Sequence, residues 1–218
     1  MTHHRRRNNG TEPSKINETV ELSPAQRHAA FKQTQAKQRT VAAEFARSMP
    51  FELDEFQMQA NDALEAGDNV LVAAPTGAGK TVAADFAIYL AQTRNVKAFY
   101  TTPIKALSNQ KYHDLVDQYG TDKVGLLTGD TSINSEADIV VMTTEVLRNM
   151  LYEHSVTLEA LRYVILDEVH YLADRFRGPV WEEVIIHLPK NVNIIGLSAT
   201  VSNVEDFSEW IESVRGKT

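Results

Sequence analysis

Two stretches of this chain carry the residue types that chemistry on phosphates requires. The first is Ala74-Pro75-Thr76-Gly77-Ala78-Gly79-Lys80-Thr81. Gly77 and Gly79 allow backbone N–H groups to turn inward onto anionic oxygens. A helix starting directly behind them favours negative charge at its N-terminus. Lys80 sets a cation against terminal phosphates, and Thr81 offers a hydroxyl to Mg²⁺. The general phosphate-loop pattern is Gly, four residues, then Gly-Lys-Ser/Thr; Ala74 stands where the first Gly is usual, and the rest fits. The second stretch is Val164-Ile165-Leu166-Asp167-Glu168-Val169-His170, an apolar run ending in two carboxylates. Asp167 is placed to hold Mg²⁺ through water, and Glu168 to orient and deprotonate an attacking water. Mg²⁺ suits such a site because it keeps its waters and takes few carboxylates. Each stretch alone has a bland reading, a Gly-rich turn or a solvated strand end; together they point to cleavage of a nucleoside triphosphate. His170 follows on the same edge, where it either has a structural place or reads the state of the γ-phosphate. Zinc is not indicated, because no second His or Cys stands at ligand spacing.

Both stretches need a strand to aim them. Short Val/Ile/Leu-rich runs lie at Asn69–Ala73, Val96–Thr101, Val124–Leu127, Ile139–Met142, Tyr163–Leu166 and Asn193–Leu197. They are continuous rather than alternating, as in strands buried on both faces. Helical stretches, among them Val82–Gln92 and Ala106–Tyr119, fall between most of them. The pattern predicts an α/β fold with a mostly parallel sheet and helices on both faces. In that fold the glycine-rich turn and the acidic pair share the carboxyl edge of the sheet. Asp54 to Ala66 reads as a helix stopped by Gly67, with Phe56 as a core anchor. Asn203 to Val214 reads as a last helix.

The chain has 218 residues, 43% of them hydrophobic and none of them Cys. That allows one sizeable domain with a tail and excludes disulfides. No run approaches the ~18 apolar residues of a membrane span, and the basic, polar start is not a secretory signal; the expected location is the cytoplasm. Net charge is −7. Residues 1–47 carry nine Lys/Arg and four Asp/Glu, a net of +5; residues 48–218 carry thirteen and twenty-five, a net of −12. Bulk charge therefore gives a nucleic-acid partner no support, and a strand would have to be gripped by local phosphate contacts. Residues 1–22 read as a disordered basic tail. Ser23-Pro24 reads as a helix start, with the helix running to about Arg47 within residues 23–48, either as an appended solvated helix or as an extra contact to a strand or partner domain. The main domain is expected over 49–218.

Taken together, these residues resemble a family. Asp167-Glu168-Val169-His170 is similar to the DExH box of superfamily 2 helicases, and Ala74–Thr81 to motif I of that superfamily. Ser198-Ala199-Thr200 looks like the motif that couples ATP state to strand grip. Thr101-Thr102-Pro103-Ile104-Lys105-Ala106-Leu107-Ser108-Asn109-Gln110-Lys111 resembles motif Ia of the Ski-type branch, and Arg177-Gly178 with Val180-Trp181-Glu182-Glu183 also resembles that branch. As a whole, residues 50–218 look like the first RecA-like motor domain of the actinobacterial HelY-type helicases. The resemblance implies a P-loop NTPase fold of the RecA-like kind, with ATP and Mg²⁺ as cofactors. It implies a single-stranded nucleic acid as partner, RNA before DNA, and a second RecA-like domain that brings arginine fingers. It implies adenine recognition by Gln57, whose amide can both donate and accept, with Phe51 stacking nearby. It implies strand contacts from Thr102, Pro103, Lys105, Asn109 and Gln110, then from Thr128 and Gly129, then from Thr143, Thr144 and Glu145. Read without the family, Thr143-Thr144-Glu145 is a helix cap, and Arg148 is either a phosphate contact or a surface charge.

Nothing after Thr200 resembles the second half of such a motor. An arginine finger is worth roughly 10³–10⁵ in rate, so the expectation for this chain alone is weak ATP binding and almost no turnover, as in a partial version of a longer helicase. A nucleotide- or nucleic-acid-binding module without turnover is the competing reading. A P-loop switch unrelated to strands is a third, against which the motif Ia and Ser198-Ala199-Thr200 segments speak.

Overall fold

The computed structural model describes residues 39–170, 178–199 and 204–218. The expected tail over 1–22, the helix start at Ser23-Pro24, Arg177 and Thr200 lie outside them.

The apolar runs form a single seven-stranded sheet: β1 (Val70–Ala73), β2 (Lys97–Thr102), β3 (Val124–Thr128), β4 (Thr131–Ile133), β5 (Ile139–Thr143), β6 (Leu161–Leu166) and β7 (Asn193–Ser198). Their spatial order is β1-β7-β6-β2-β5-β3-β4. Every neighbouring pair is parallel except β3 with β4. Six strands agree with the sequence reading to within two residues. The strand β4 is an addition: Gly129-Asp130 makes a two-residue turn that folds three residues back on β3, a hairpin signal legible in the sequence.

Helices cover both faces. On one lie α1 (Val41–Ser48), α2 (Glu55–Ala66), α3 (Thr81–Arg94) and α4 (Lys105–Tyr119). On the other lie α5 (Thr144–Tyr152), α6 (Gly178–His187) and α7 (Val204–Arg215). The strands alternate between two cores: Ala98, Tyr100, Tyr163 and Ile165 belong to the first, Phe99, Val164 and Leu166 to the second. Helix α3 is apolar nearly all round, with Val82, Ala83, Ala84, Phe86, Ala87, Ile88, Leu90 and Ala91 buried, as befits a helix covered on several sides.

Two sequence expectations need correction. A helix continuous to about Arg47 is excluded, because Thr40 has extended backbone (φ −76°, ψ 156°) and its side chain accepts from Ala43 N; Thr40 is the N-cap at which the helix Val41–Ser48 starts. Nor is the helix Val41–Ser48 a solvated appendage: Phe45 is 2% exposed, with its ring 5.2 Å from Phe86 and 5.4 Å from Tyr89. Phe56 is not core; it is 36% exposed. The buried face of α2 is Gln57, Ala60, Asn61 and Leu64, one residue out of phase with it.

Candidate nucleotide and strand site

The glycine turn leaves β1 and enters α3. Gly77 and Gly79 have φ of +87° and +77°, the left-handed region that a side chain disfavours. Pro75 O accepts from Ala78 N at 3.1 Å, which closes the turn, and Ala74 N donates to Ser198 O at 3.1 Å, tying its base to the end of β7. Lys80 stands at the N-cap of α3 and Thr81 is the helix's first residue. The α3 N-terminus therefore opens at the loop, as anion binding by backbone amides requires.

The acidic pair leaves β6, two strands away in the order β1-β7-β6. All three strands are parallel, so loop and carboxylates emerge at the same sheet edge. Two strand spacings separate them by roughly 10 Å, a gap that suits a metal-bound triphosphate. Asp167 N donates to Thr101 O at 3.0 Å. Its carboxylate is held at both oxygens: Glu168 N donates to Oδ1 at 2.9 Å and Tyr100 Oη to Oδ2 at 2.7 Å. Burial, and then the neighbouring Asp167, push the Tyr100 phenol well above its ordinary range, so it keeps its proton. Glu168 has a φ of +56°, a left-handed conformation uncommon for a side-chain-bearing residue and concentrated at functional turns. His170 Nδ1 approaches Glu168 Oε2 to 3.1 Å, so this imidazole stands beside the carboxylate expected to act on water.

The donor chemistry fits Mg²⁺. Among the described residues no group of three or more His, Cys, Asp or Glu gathers as a self-contained metal site would need. One carboxylate and one hydroxyl, completed by water and phosphate oxygens, is the set that Mg²⁺ accepts.

Gln57 has work that the sequence reading did not assign. It is 4% exposed. Its Oε1 accepts from Asp54 N at 2.8 Å, and its Nε2 donates to Gly79 O at 3.0 Å. It thus completes the capping box of α2 and braces the phosphate turn. A Cβ on Gly79 would come within 2.5 Å of that amide nitrogen. Two of the amide's bonding positions are spent here, so adenine would meet only what remains. Phe51 stands just before α2 and is 51% exposed.

The segments expected to touch a strand follow β2, β3 and β5, which are also sheet neighbours. The same sheet edge thus divides into a half with the glycine turn and acidic pair at β1-β7-β6 and a second half at β2-β5-β3. Within that second half several hydroxyls are already occupied. Thr102 is 1% exposed; its hydroxyl donates to Ile104 O at 3.0 Å and lies 2.7 Å from the Ser108 hydroxyl. Thr144 is buried and donates to Thr102 O at 3.3 Å; Thr128 is buried and donates to Asp130 Oδ1 at 3.0 Å. Pro103 is buried as well. The three hydroxyls are thus bonded within the protein, and none of the four residues is exposed. Lys105, Gln110 and Gly129 are exposed, and Asn109, Thr143 and Glu145 partly so. Lys105 Nζ pairs with Asp130 Oδ2 at 2.5 Å. Arg148 lies 3.7 Å from Glu183 on α6, which places it in a surface ion pair. Ser198 is buried at the end of β7 and Ala199 is partly exposed just beyond it.

Comparison with known proteins agrees with this geometry. The family model for DEAD/DEAH box helicases matches residues 54–207. Over 174 residues, 80% of this chain, the sequence is 62% identical to the probable helicase HelY of Mycobacterium tuberculosis, of which it covers 19%. Over 172 residues, 79% of this chain, it is 52% identical to the antiviral helicase SKI2 of Saccharomyces cerevisiae, of which it covers 13%. The fold matches the Mycobacterium smegmatis helicase Lhr, solved with single-stranded DNA and AMP-PNP, at a TM-score of 0.66 and 29% identity, covering 82% of this chain and 27% of that one. The chain spans a fifth or less of the length of the HelY and SKI2 relatives. With the phosphate turn, the acidic pair and the second half-edge on one sheet, and a family model over most of its length, the chain belongs to the DEAD/DEAH box helicases.

Proposed function

We propose that this chain is the ATP-binding part of a helicase motor that moves on a single strand, RNA before DNA, and that works with a second RecA-like domain. The observation that carries the reading is the divided sheet edge, with phosphate chemistry on β1-β7-β6 and strand-facing turns on β2-β5-β3. The preference for RNA rests on the Ski-type wording of Thr101–Lys111 and on likeness to SKI2, not on a side chain that selects a 2′-hydroxyl by its chemistry.

In this reading the backbone N–H groups of residues 76–80 wrap the β- and γ-phosphates, and Lys80 neutralises their charge. Thr81 and Asp167 hold Mg²⁺, which when bound offsets charge on the phosphate oxygens. Glu168 orients the attacking water and accepts its proton on the carboxylate, and His170 beside it senses whether the γ-phosphate is present. Phe51 covers the base, while Gln57 braces Gly79 and offers its spare amide positions to adenine. Lys105, Asn109 and Gln110 at the start of α4, with Gly129, Thr143 and Glu145, face the strand. Ser198 and Ala199, with Thr200, pass the nucleotide state to that face; Ser198 O already accepts from the foot of the phosphate turn. Closure on the strand and reopening after phosphate release drive the cycle.

Titration of the 218-residue chain with fluorescent AMP-PNP in Mg²⁺ tests the reading. Saturable binding that Lys80→Ala weakens at least about tenfold is the expected result, a loss of ~1.4 kcal/mol or more. Steady turnover needs the second domain, whose arginine finger supplies roughly 10³–10⁵ of the rate. Binding indifferent to Lys80 would sink the ATP assignment. Turnover of several per second by this chain alone with RNA would sink the claim that half the motor is elsewhere.

A further inference from the structure

The two halves of the sheet edge meet at the seam between β6 and β2, and Tyr100 spans that seam. It sits on β2 with 1% of its surface exposed, and its hydroxyl reaches across to Asp167 Oδ2 at 2.7 Å. Strand alternation puts it there: Ala98 and Tyr100 face the same core as Tyr163 and Ile165, and Asp167 is the next residue on that face. A phenylalanine would fill the same space. Burying a hydroxyl costs ~1–3 kcal/mol unless it is bonded, so a tyrosine here is justified only by what its oxygen does.

That oxygen bonds to a carboxylate that needs fixing. The χ2 torsion of Asp is broad and roughly two-fold, so the carboxylate of Asp167 has no intrinsic orientation. A carboxylate has about four acceptor positions. One on Oδ1 is taken by Glu168 N at 2.9 Å and one on Oδ2 by Tyr100. The two donors clamp the plane of the group and leave one position on each oxygen unspent. The ring is held in turn from the strand side, because Lys111 Nζ of α4 lies 5.1 Å from its centroid, within cation–π range.

We propose that Tyr100 is a positioning residue for the metal–nucleotide site: its hydroxyl orients Asp167 toward the Mg²⁺ of a bound nucleotide, from a strand and helix that belong to the nucleic-acid half of the edge. The proposal rests on the ATP reading above. Partners one bond removed from a metal ligand typically govern 10–100-fold of metal affinity.

The test is the ratio of AMP-PNP affinities in Mg²⁺ and in EDTA for the full chain, with Tyr100→Phe against the unaltered protein. The phenylalanine keeps the ring and its packing, and thermal unfolding without nucleotide checks that the fold is kept. The expected result is a fall of about tenfold in the Mg²⁺ affinity, with the EDTA affinity unchanged, so that the ratio collapses. Binding of Mn²⁺ to the protein–nucleotide complex, read by electron paramagnetic resonance, should weaken in parallel. An unaltered ratio overturns the proposal, whether both affinities hold or both fall together as a general packing defect would make them. If the unaltered protein itself showed no Mg²⁺-dependent binding, the ATP reading would fail first, and the two failures are thereby distinct.

Discussion

Asp85 lies one turn into α3, beneath the phosphate turn, and illustrates what burial does to a single group. Desolvation raises its carboxyl to about 6, against the pull of Lys111, which lowers it. The same charge, after burial itself, helps push the Tyr119 phenol up to about 12 and adds to the rise at Tyr100. A carboxyl whose folded value lies above its unfolded one stabilises the fold by its proton. That contribution is complete below about pH 4 and is lost as pH rises through about 6. Asp85→Asn should therefore unfold at a higher temperature than the parent at pH 7–8, by roughly 2–3 kcal/mol of stability. The difference should shrink to nothing near pH 4. Thermal melts of both proteins across pH 4–8 measure it, and parallel curves would show that Asp85 does not titrate as its burial implies.

At the scale of elements, α1 shows how a short helix is recruited. Eight residues are too few to hold a helix in water unaided. Helix α1 is capped by Thr40, and Glu65 of α2 accepts from its first two amides, Val41 N at 2.9 Å and Ala42 N at 2.7 Å. Phe45 then inserts between Phe86 and Tyr89 of α3. Because α3 has Lys80 and Thr81 at its start, this packing supports the glycine turn from behind. Phe45→Ala should cost ~3–5 kcal/mol by the usual figure for a buried ring. Urea unfolding should show the midpoint falling with little change in slope, while a variant as stable as its parent would mean that α1 is not docked. The N-cap Thr40 and the aromatic at Phe45 were present in the sequence, whereas the support from Glu65 was not. What made residues 23–47 read as one helix was their Ala/Gln/Lys composition, which does not reveal where a β-branched residue adopts extended backbone.

At the scale of the whole molecule, the proposed function places two ligands on separate halves of one sheet edge, and that separation predicts two independent defects. Lys80→Ala should weaken nucleotide binding and leave the affinity for a single-stranded oligoribonucleotide within about twofold, too little to signal the loss of a contact. Lys105→Ala should do the opposite. It removes one phosphate partner, so the slope of log affinity against log salt should become shallower by about 0.7, the value for one contact on a single strand. The pair of titrations, nucleotide and oligonucleotide for each variant, decides the matter. Equal losses of both ligands in either variant would contradict the division. Lys105 is paired with Asp130 in the free protein, and a strand must displace that partner, which keeps the expected effect modest.

The phosphate turn, the acidic pair and six of the strands were legible in the sequence because their signals are local. Glycines at fixed spacing, a lysine before a helix and carboxylates at the end of an apolar run each follow from a few consecutive residues. The structure alone decided which strands are neighbours, and hence that β1, β7 and β6 gather the glycine turn and the acidic pair while β2, β5 and β3 gather the other motif segments. It also decided which polar side chains were already spent. Thr102, Thr128 and Thr144 look like phosphate contacts in a motif, yet their hydroxyls are already bonded within the protein, the first two inside their own turns and Thr144 across to Thr102 O. Gln57 and Tyr100 draw their roles from Gly79 and Asp167, which lie 22 and 67 residues away in the chain. Hydrogen bonds of that span depend on strand order and register, and no local pattern of residues encodes those.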